Sequence, residues 1–387
     1  MKLLFCEWGS YMQEDLHMAL QEMGIEVRRA GYTFDDSSED DYFYRHFGAL
    51  LEDGCYDGVI TLNYYPVLAR VCCEKKTPYI AWVYDCPFDV REPEKTLGLA
   101  TNHVFFFDGE EYKKYKDMGF DTVYHLELAV NTDRLDRIVI TEKEKQQYTA
   151  DISFVGSLYG TEFPQYYAGL NEYQRGYVNA LMEMQSRIYG TYFLRECVEP
   201  KMIREIKERF SEVEKIAGES DKNFSDWIFH ILASEITRRE RITILLMLSK
   251  RCQVKLYTHN QEPLLSQTIF CGTARSFEET PKIYRSSKIN LNITLKEIAS
   301  GISLRVLDIL GAGGFLLTNW QKEIAENFID GRDLVMYDSV EDAVEKAMYY
   351  LQHEEERCQI AENGRKAVEK FSYHRQLEKI FQCVYGK

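Results

Sequence analysis

The sequence is short of basic charge, of paired metal-ligand motifs and of long apolar runs, and each shortage closes a class of function. Lys and Arg number 47 against 62 Asp and Glu, a formal net charge of −15. Such a chain repels polyanions on average, which excludes nucleic acid or an anionic membrane surface as its main partner. The ten cysteines include the adjacent pair Cys72-Cys73 but no CxxC pair and no Cys/His spacing that builds a zinc site, so they read as reduced, mostly buried thiols. No apolar run approaches the length of about 20 residues that spans a bilayer. Met1-Lys2 leads into only LLFC before Glu7 interrupts it, without the order of a signal peptide, and the cytoplasm is the expected location. No internal repeat or low-complexity segment is present.

What is there is alternation. The 387 residues suffice for two ordinary domains. In the first half, KLLFCEW, IEVRRAGY, YDGVITLN, TPYIAWVYD, HVFFFD and DTVYHLELA read as strands. Between them lie helical stretches such as Tyr11 to Met23, whose Met12, Leu16, Leu20 and Met23 recur at near-helical spacing. This order predicts a doubly wound parallel sheet over residues 1–140. Ala129 to Ala150 turns polar and reads as a linker. DISFVGSLYG restarts the pattern in a second α/β domain, 150–372, with residues 161–250 as a helical insertion and QVKLYTH resuming the sheet.

The richest stretch is Phe277 to Asp338. KINLNIT alternates as a strand, although the polar Asn290 and Asn292 argue against its being fully buried. Ser300-Gly301-Ile302-Ser303 forms a turn into an amphipathic helix bearing Arg305 and Asp308, which GAGG (Gly311 to Gly314) stops before the strand FLLT. A βαβ unit sets a helix N-terminus at the carboxyl edge of the sheet, where N–H groups and the helix dipole favour an anion, most simply a phosphate. Gly301 lets a diphosphate approach the backbone, Arg305 can pair with it, and Asp308 can accept two hydrogen bonds from a ribose diol.

SGISLRVLD resembles the nucleotide-sugar site of GT-B glycosyltransferases, particularly the family 4 pattern of a Glu, seven residues and a second Glu. The alignment puts Asp308 at the second, ribose-binding acid and Ser300 at the first, the one that family uses near the transferred sugar. The continuation through Gly313, Gly314, Phe315 and Thr318 to Glu323, with YDCP (Tyr84 to Pro87) and VFFFD (Val104 to Asp108), is similar to the CgeB-like branch, named for a spore maturation protein. The resemblance implies an α/β GT-B architecture of two Rossmann-like doubly wound domains facing a cleft, with the helix at 373–387 packing back on the first. It implies a glycosyltransferase that takes a nucleoside diphosphate sugar as donor and needs no cofactor. The acceptor, whether glycan, protein or small molecule, stays open.

Further site residues follow from strand ends. Tyr284 borders the nucleotide base by resemblance, with core packing an equal alternative; Tyr257, Thr258 and His259 end a strand on the same edge; Ser157 and the turn residues Ile302 and Ser303 can reach the diphosphate. Asp85 ends an apolar strand and is the expected base for the acceptor hydroxyl, against a turn-capping role. Asp89, Asp108 and His103 are weaker candidates, and Glu127 and Asn131 lie where the chain leaves the first domain. The pairs Asp35-Asp36 and Asp40-Asp41 read as a solvated loop rather than a metal site, so no metal ligand is expected. Two other readings stand beside the transferase: a nucleotide-sugar epimerase on the same fold, and a catalytically silent binding partner.

Overall fold

The computed structural model describes residues 1–9, 12–32, 37–160, 162–210, 224–275 and 277–386, without the side chains of 209 and 210. Among the described residues, twelve strands form two six-stranded sheets in two compact units, Met1–Asn131 with Lys370–Lys387, and Thr132–Glu369.

In the first unit, β1 (Lys2–Glu7), β2 (Glu26–Gly31), β3 (Gly58–Leu62), β4 (Tyr79–Val83), β5 (Asn102–Phe106) and β6 (Val123–His125) pair in parallel in the order β2-β1-β3-β4-β5-β6. GVITL and YIAWV are continuous apolar runs because helices cover both faces of a parallel sheet, and every residue of β3 and β4 is buried. The helix Tyr373–Tyr385 also belongs to this unit. Its Tyr373 hydroxyl accepts from the Tyr84 hydroxyl at 3.1 Å, and Gln376 donates to the Glu127 carbonyl at 2.8 Å. Of the acidic pairs, Asp35 and Asp36 lie outside the described residues. Asp40 caps the helix Asp41–Gly54 by accepting from the Phe43 N–H at 2.7 Å, an ordinary structural task for an acid at that position.

In the second unit, β7 (Ala150–Val155), β8 (Val254–Tyr257), β9 (Ile269–Phe270), β10 (Ser287–Asn292), β11 (Leu316–Asn319) and β12 (Val335–Tyr337) run in parallel in the order β12-β11-β10-β7-β8-β9. With β7 taken as the first strand, this is the doubly wound order 3-2-1-4-5-6, whose direction of winding reverses between β7 and β10; open α/β sheets hold ligands beyond the carboxyl ends of the strands at such a point. β9 is a two-residue edge strand with no counterpart in the expected pattern.

Two expectations are corrected here. Asn290 and Asn292 do not keep β10 from burial: they are 1% and 0% exposed. The Asn290 Oδ1 accepts from Ser153 Oγ at 2.8 Å and its amide donates to the Tyr284 carbonyl, while the Asn292 amide donates to the Thr294 and Thr318 hydroxyls, both at 3.0 Å. Paired amides of this kind escape the penalty of about 1–3 kcal/mol for an unsatisfied buried group. The polar stretch 129–150 is also more than a linker. It holds the helices Thr132–Asp136 and Glu142–Tyr148, the second opened by a Thr141/Glu144 capping box, and Arg285 bonds the carbonyls of Leu135 and Ile138, both at 2.9 Å.

Residues 162–249 are helical wherever described in regular structure, with Glu162–Ala168, Glu172–Ser186, Leu194–Cys197, Pro200–Phe210 and Phe224–Ser249. They build a core of their own, including Tyr166, Leu181, Leu194, Ile228 and Leu232, and that core takes in Leu295 from the segment after β10. Among the described residues, no helix is long and apolar enough to cross a membrane.

Candidate functional site at a sheet switch point

β7 ends at Val155, and Gly156 follows with φ +155° and its N–H on the Tyr257 carbonyl at 2.9 Å. The space a Cβ would take is filled by the Arg305 guanidinium, whose Nη2 would stand 2.7 Å from it. Arg305 comes from the helix Leu304–Gly311 on the far side of the switch point and is held by Asn292 Oδ1 at 3.3 Å, with the buried Tyr284 nearby. The helix starts at Ser303 without a side-chain cap. The Val306 N–H turns back to the Ser303 carbonyl at 2.9 Å, no side chain caps the N–H groups of Leu304 and Arg305, and the Ser303 hydroxyl, buried in the same place, has no hydrogen-bond partner among the described residues. A guanidinium, a helix N-terminus and a glycine that lets backbone come close are the parts from which an anion cradle can be built.

The expected residues separate under this geometry. Gly301, Ile302 and Ser303 line the turn into the helix, and Asp308, half-buried one turn beyond Arg305, is close enough to Tyr284 to push its hydroxyl upward in pKa. Burial is the larger cause of that shift. Tyr284 is 3% exposed, as the core-packing alternative requires, and lies near Arg305. Tyr257 is taken by the core, 6% exposed among Tyr148, Ile283 and Ala274, while Thr258 is buried and His259 exposed. The exposed Ser157 accepts the Tyr159 N–H at 2.8 Å through its hydroxyl. Ser300 is 1% exposed, and its hydroxyl donates to the buried Glu323 at 2.6 Å. A carboxylate therefore stands beside Ser300, and it arrives from the next helix, Lys322–Asn327.

In the first unit, Asp85 is exposed just past β4, and its Oδ2 accepts from the Asn63 amide at 2.7 Å. Asn63, with φ 65°, also accepts the N–H groups of Tyr84 and Asp85 at 2.8 and 3.1 Å. This clamp holds the carboxylate outward, the arrangement a base requires. The weaker candidates have structural work: Asp108 caps the helix Gly109–Asp117 by accepting from the Glu110 and Glu111 N–H groups, both at 3.0 Å, His103 stacks on Tyr124 with burial lowering its pKa, and Asn131 donates to Asp15 at 2.9 Å. Asp89 is exposed.

Residues 249–382 match the family described as glycosyl transferase-like. Among curated proteins, none matches the sequence. Solved structures resemble the chain over its whole length: HepE of Anabaena in complex with UDP-glucose (9% identity, 100% of each chain, TM-score 0.56), a glycosyltransferase of Rickettsia africae (11% identity, 100% of this chain and 98% of that one, TM-score 0.54), and a putative UDP-N-acetylglucosamine 2-epimerase of Listeria monocytogenes (10% identity, 100% and 97%, TM-score 0.51). The fold is GT-B. In GT-B terms the second unit is the one with the anion cradle, and its most telling members, Gly156 and Asn292, were absent from the sequence-based candidates. The glycine of DISFVGS was a visible signal. Nothing in the sequence marked Asn292 except its polarity within a strand.

Proposed function

We propose that the protein is a glycosyltransferase whose second unit binds a nucleoside diphosphate sugar, and that transfer to an acceptor hydroxyl proceeds without a divalent metal. The carrying observation is Arg305, held over Gly156 by Asn292 at the switch point, beside a helix N-terminus without a side-chain cap. A diphosphate accepts from the guanidinium and from the helix N–H groups, and both stabilise the charge that grows on it as the glycosidic bond breaks. This is the task a metal performs elsewhere. Asp308 is suited to the ribose diol, and the UDP-glucose of HepE makes a uridine nucleotide the first donor to test. Asp85, held by Asn63, serves as the base for the acceptor. In family 4 an acid at the Ser300 position assists retention; the serine here leaves the stereochemistry to experiment. The likeness to a putative epimerase supports a second reading. NMR of UDP-glucose and UDP-N-acetylglucosamine incubated with the protein separates them: slow release of free sugar supports a transferase, interconversion of sugars supports an epimerase, and an unchanged donor with bound nucleotide supports neither.

A further inference from the structure

One face of the helix Phe224–Ser249 grips the chain that leads from β10 into the anion-binding turn. Thr237, Glu240 and Arg241 stand at i, i+3 and i+4 on it, 0%, 6% and 2% exposed. The Thr237 hydroxyl accepts the Lys296 N–H at 3.0 Å, and Glu240 Oε2 lies 2.9 Å from the buried Lys296 Nζ. Glu240 Oε1 in turn accepts from the Tyr189 hydroxyl at 2.7 Å. Arg241 goes furthest: Nε donates to the Ile293 carbonyl at 3.1 Å, Nη2 to the same carbonyl, and Nη1 to the carbonyl of Ser157. A single guanidinium joins the residues just past β7 and just past β10, the two strands that flank the switch point.

Among the described residues no carboxylate pairs with Arg241; its surroundings are the rings of Phe154 and Tyr159, at 5.3 and 4.5 Å, and the like charge of Arg305. Burying an ion costs several kcal/mol, and a guanidinium does not shed its proton to escape that cost. Carbonyl dipoles offset part of it, and an anion above the turn offsets more. We propose that Arg241 is a positioning residue of the donor site, which holds both walls of the anion cradle and adds a second, buried positive charge beneath the diphosphate. The helical insertion is thereby a built part of the donor site. The inference rests on the donor-site reading above, and the experiment separates their failures.

Calorimetric titrations of wild type, Arg241→Lys and Arg241→Met with UDP, UMP and inorganic pyrophosphate test it. Wild type prefers UDP to UMP and binds pyrophosphate. Arg241→Met lowers the UDP-to-UMP affinity ratio at least tenfold, whereas Arg241→Lys, which keeps the charge and loses the two-carbonyl bridge, retains most of that ratio while its melting temperature falls. Equal weakening of UDP and UMP in Arg241→Met, or the same ratio in all three proteins, overturns the inference and leaves the donor site standing. Wild type that binds neither UDP nor pyrophosphate overturns the donor site itself. If Arg241→Met does not fold, the Lys variant decides: a ratio that collapses despite the retained charge contradicts the proposal.

Discussion

The guanidinium of Arg305 occupies the space that a side chain on Gly156 would need, its Nη2 only 2.7 Å from that Cβ position. At φ +155° the backbone also disfavours any L side chain. Gly156→Ala is therefore expected to displace Arg305 from Asn292 and weaken UDP binding by about tenfold, the equivalent of roughly 1.4 kcal/mol. Calorimetry on the folded variant checks this, and an unchanged affinity removes the contact from the site.

Asp308→Asn removes the charge but keeps the shape of a group suited to a ribose diol. Charge-assisted hydrogen bonds are worth roughly 1.5–3 kcal/mol, so nucleoside diphosphate affinity should drop by one to two orders of magnitude. Pyrophosphate, which has no ribose, should bind as before. Loss of both in equal measure would assign Asp308 to holding Arg305.

Much of this was legible in the residues and some was not. Apolar runs such as GVITL and YIAWV announced buried parallel strands, and Ser300 to Ser303 announced the turn into the helix of Arg305, because both signals are local. Asn292 misled because its partners Thr294 and Thr318 come together only in the folded sheet, where a satisfied amide is as buried as a leucine. Ser300 misled differently. Its acid neighbour Glu323 is 23 residues away, and nothing short of the packed turn shows them joined. Arg241 sits in a run of charged residues, TRRER, where sequence gives no reason to choose one arginine over another.

Glu111 supplies a pH signature independent of any donor. Burial, opposed by a hydrogen bond from the Phe88 N–H at 2.7 Å, pushes its carboxyl up to about 7. A raised carboxyl contributes stability that is fully present below its unfolded pKa of about 4.5 and is lost as pH rises through 7. Glu111→Gln should thus leave the melting temperature nearly unchanged at pH 4.5 and raise it at pH 8. Thermal scans across pH check the sign, and a variant destabilised at pH 8 contradicts it.

Asp85→Asn should reduce transfer by about two to four orders of magnitude, the usual share of general acid–base catalysis, with nucleotide affinity unchanged. Single-turnover transfer, once an acceptor is found, tests this, and normal transfer would return Asp85 to a structural role with Asn63.

The most direct test of the central claim is binding of UDP-glucose to wild type and Arg305→Ala in excess EDTA, read by calorimetry, with UDP, GDP, dTDP and CDP run alongside to fix the base. The expected result is metal-free binding of at least one diphosphate nucleotide, weakened tenfold or more by Arg305→Ala. Binding that needs manganese and ignores the loss of Arg305, or no binding by any nucleotide, would contradict a cation-and-helix donor site at the β7/β10 switch point.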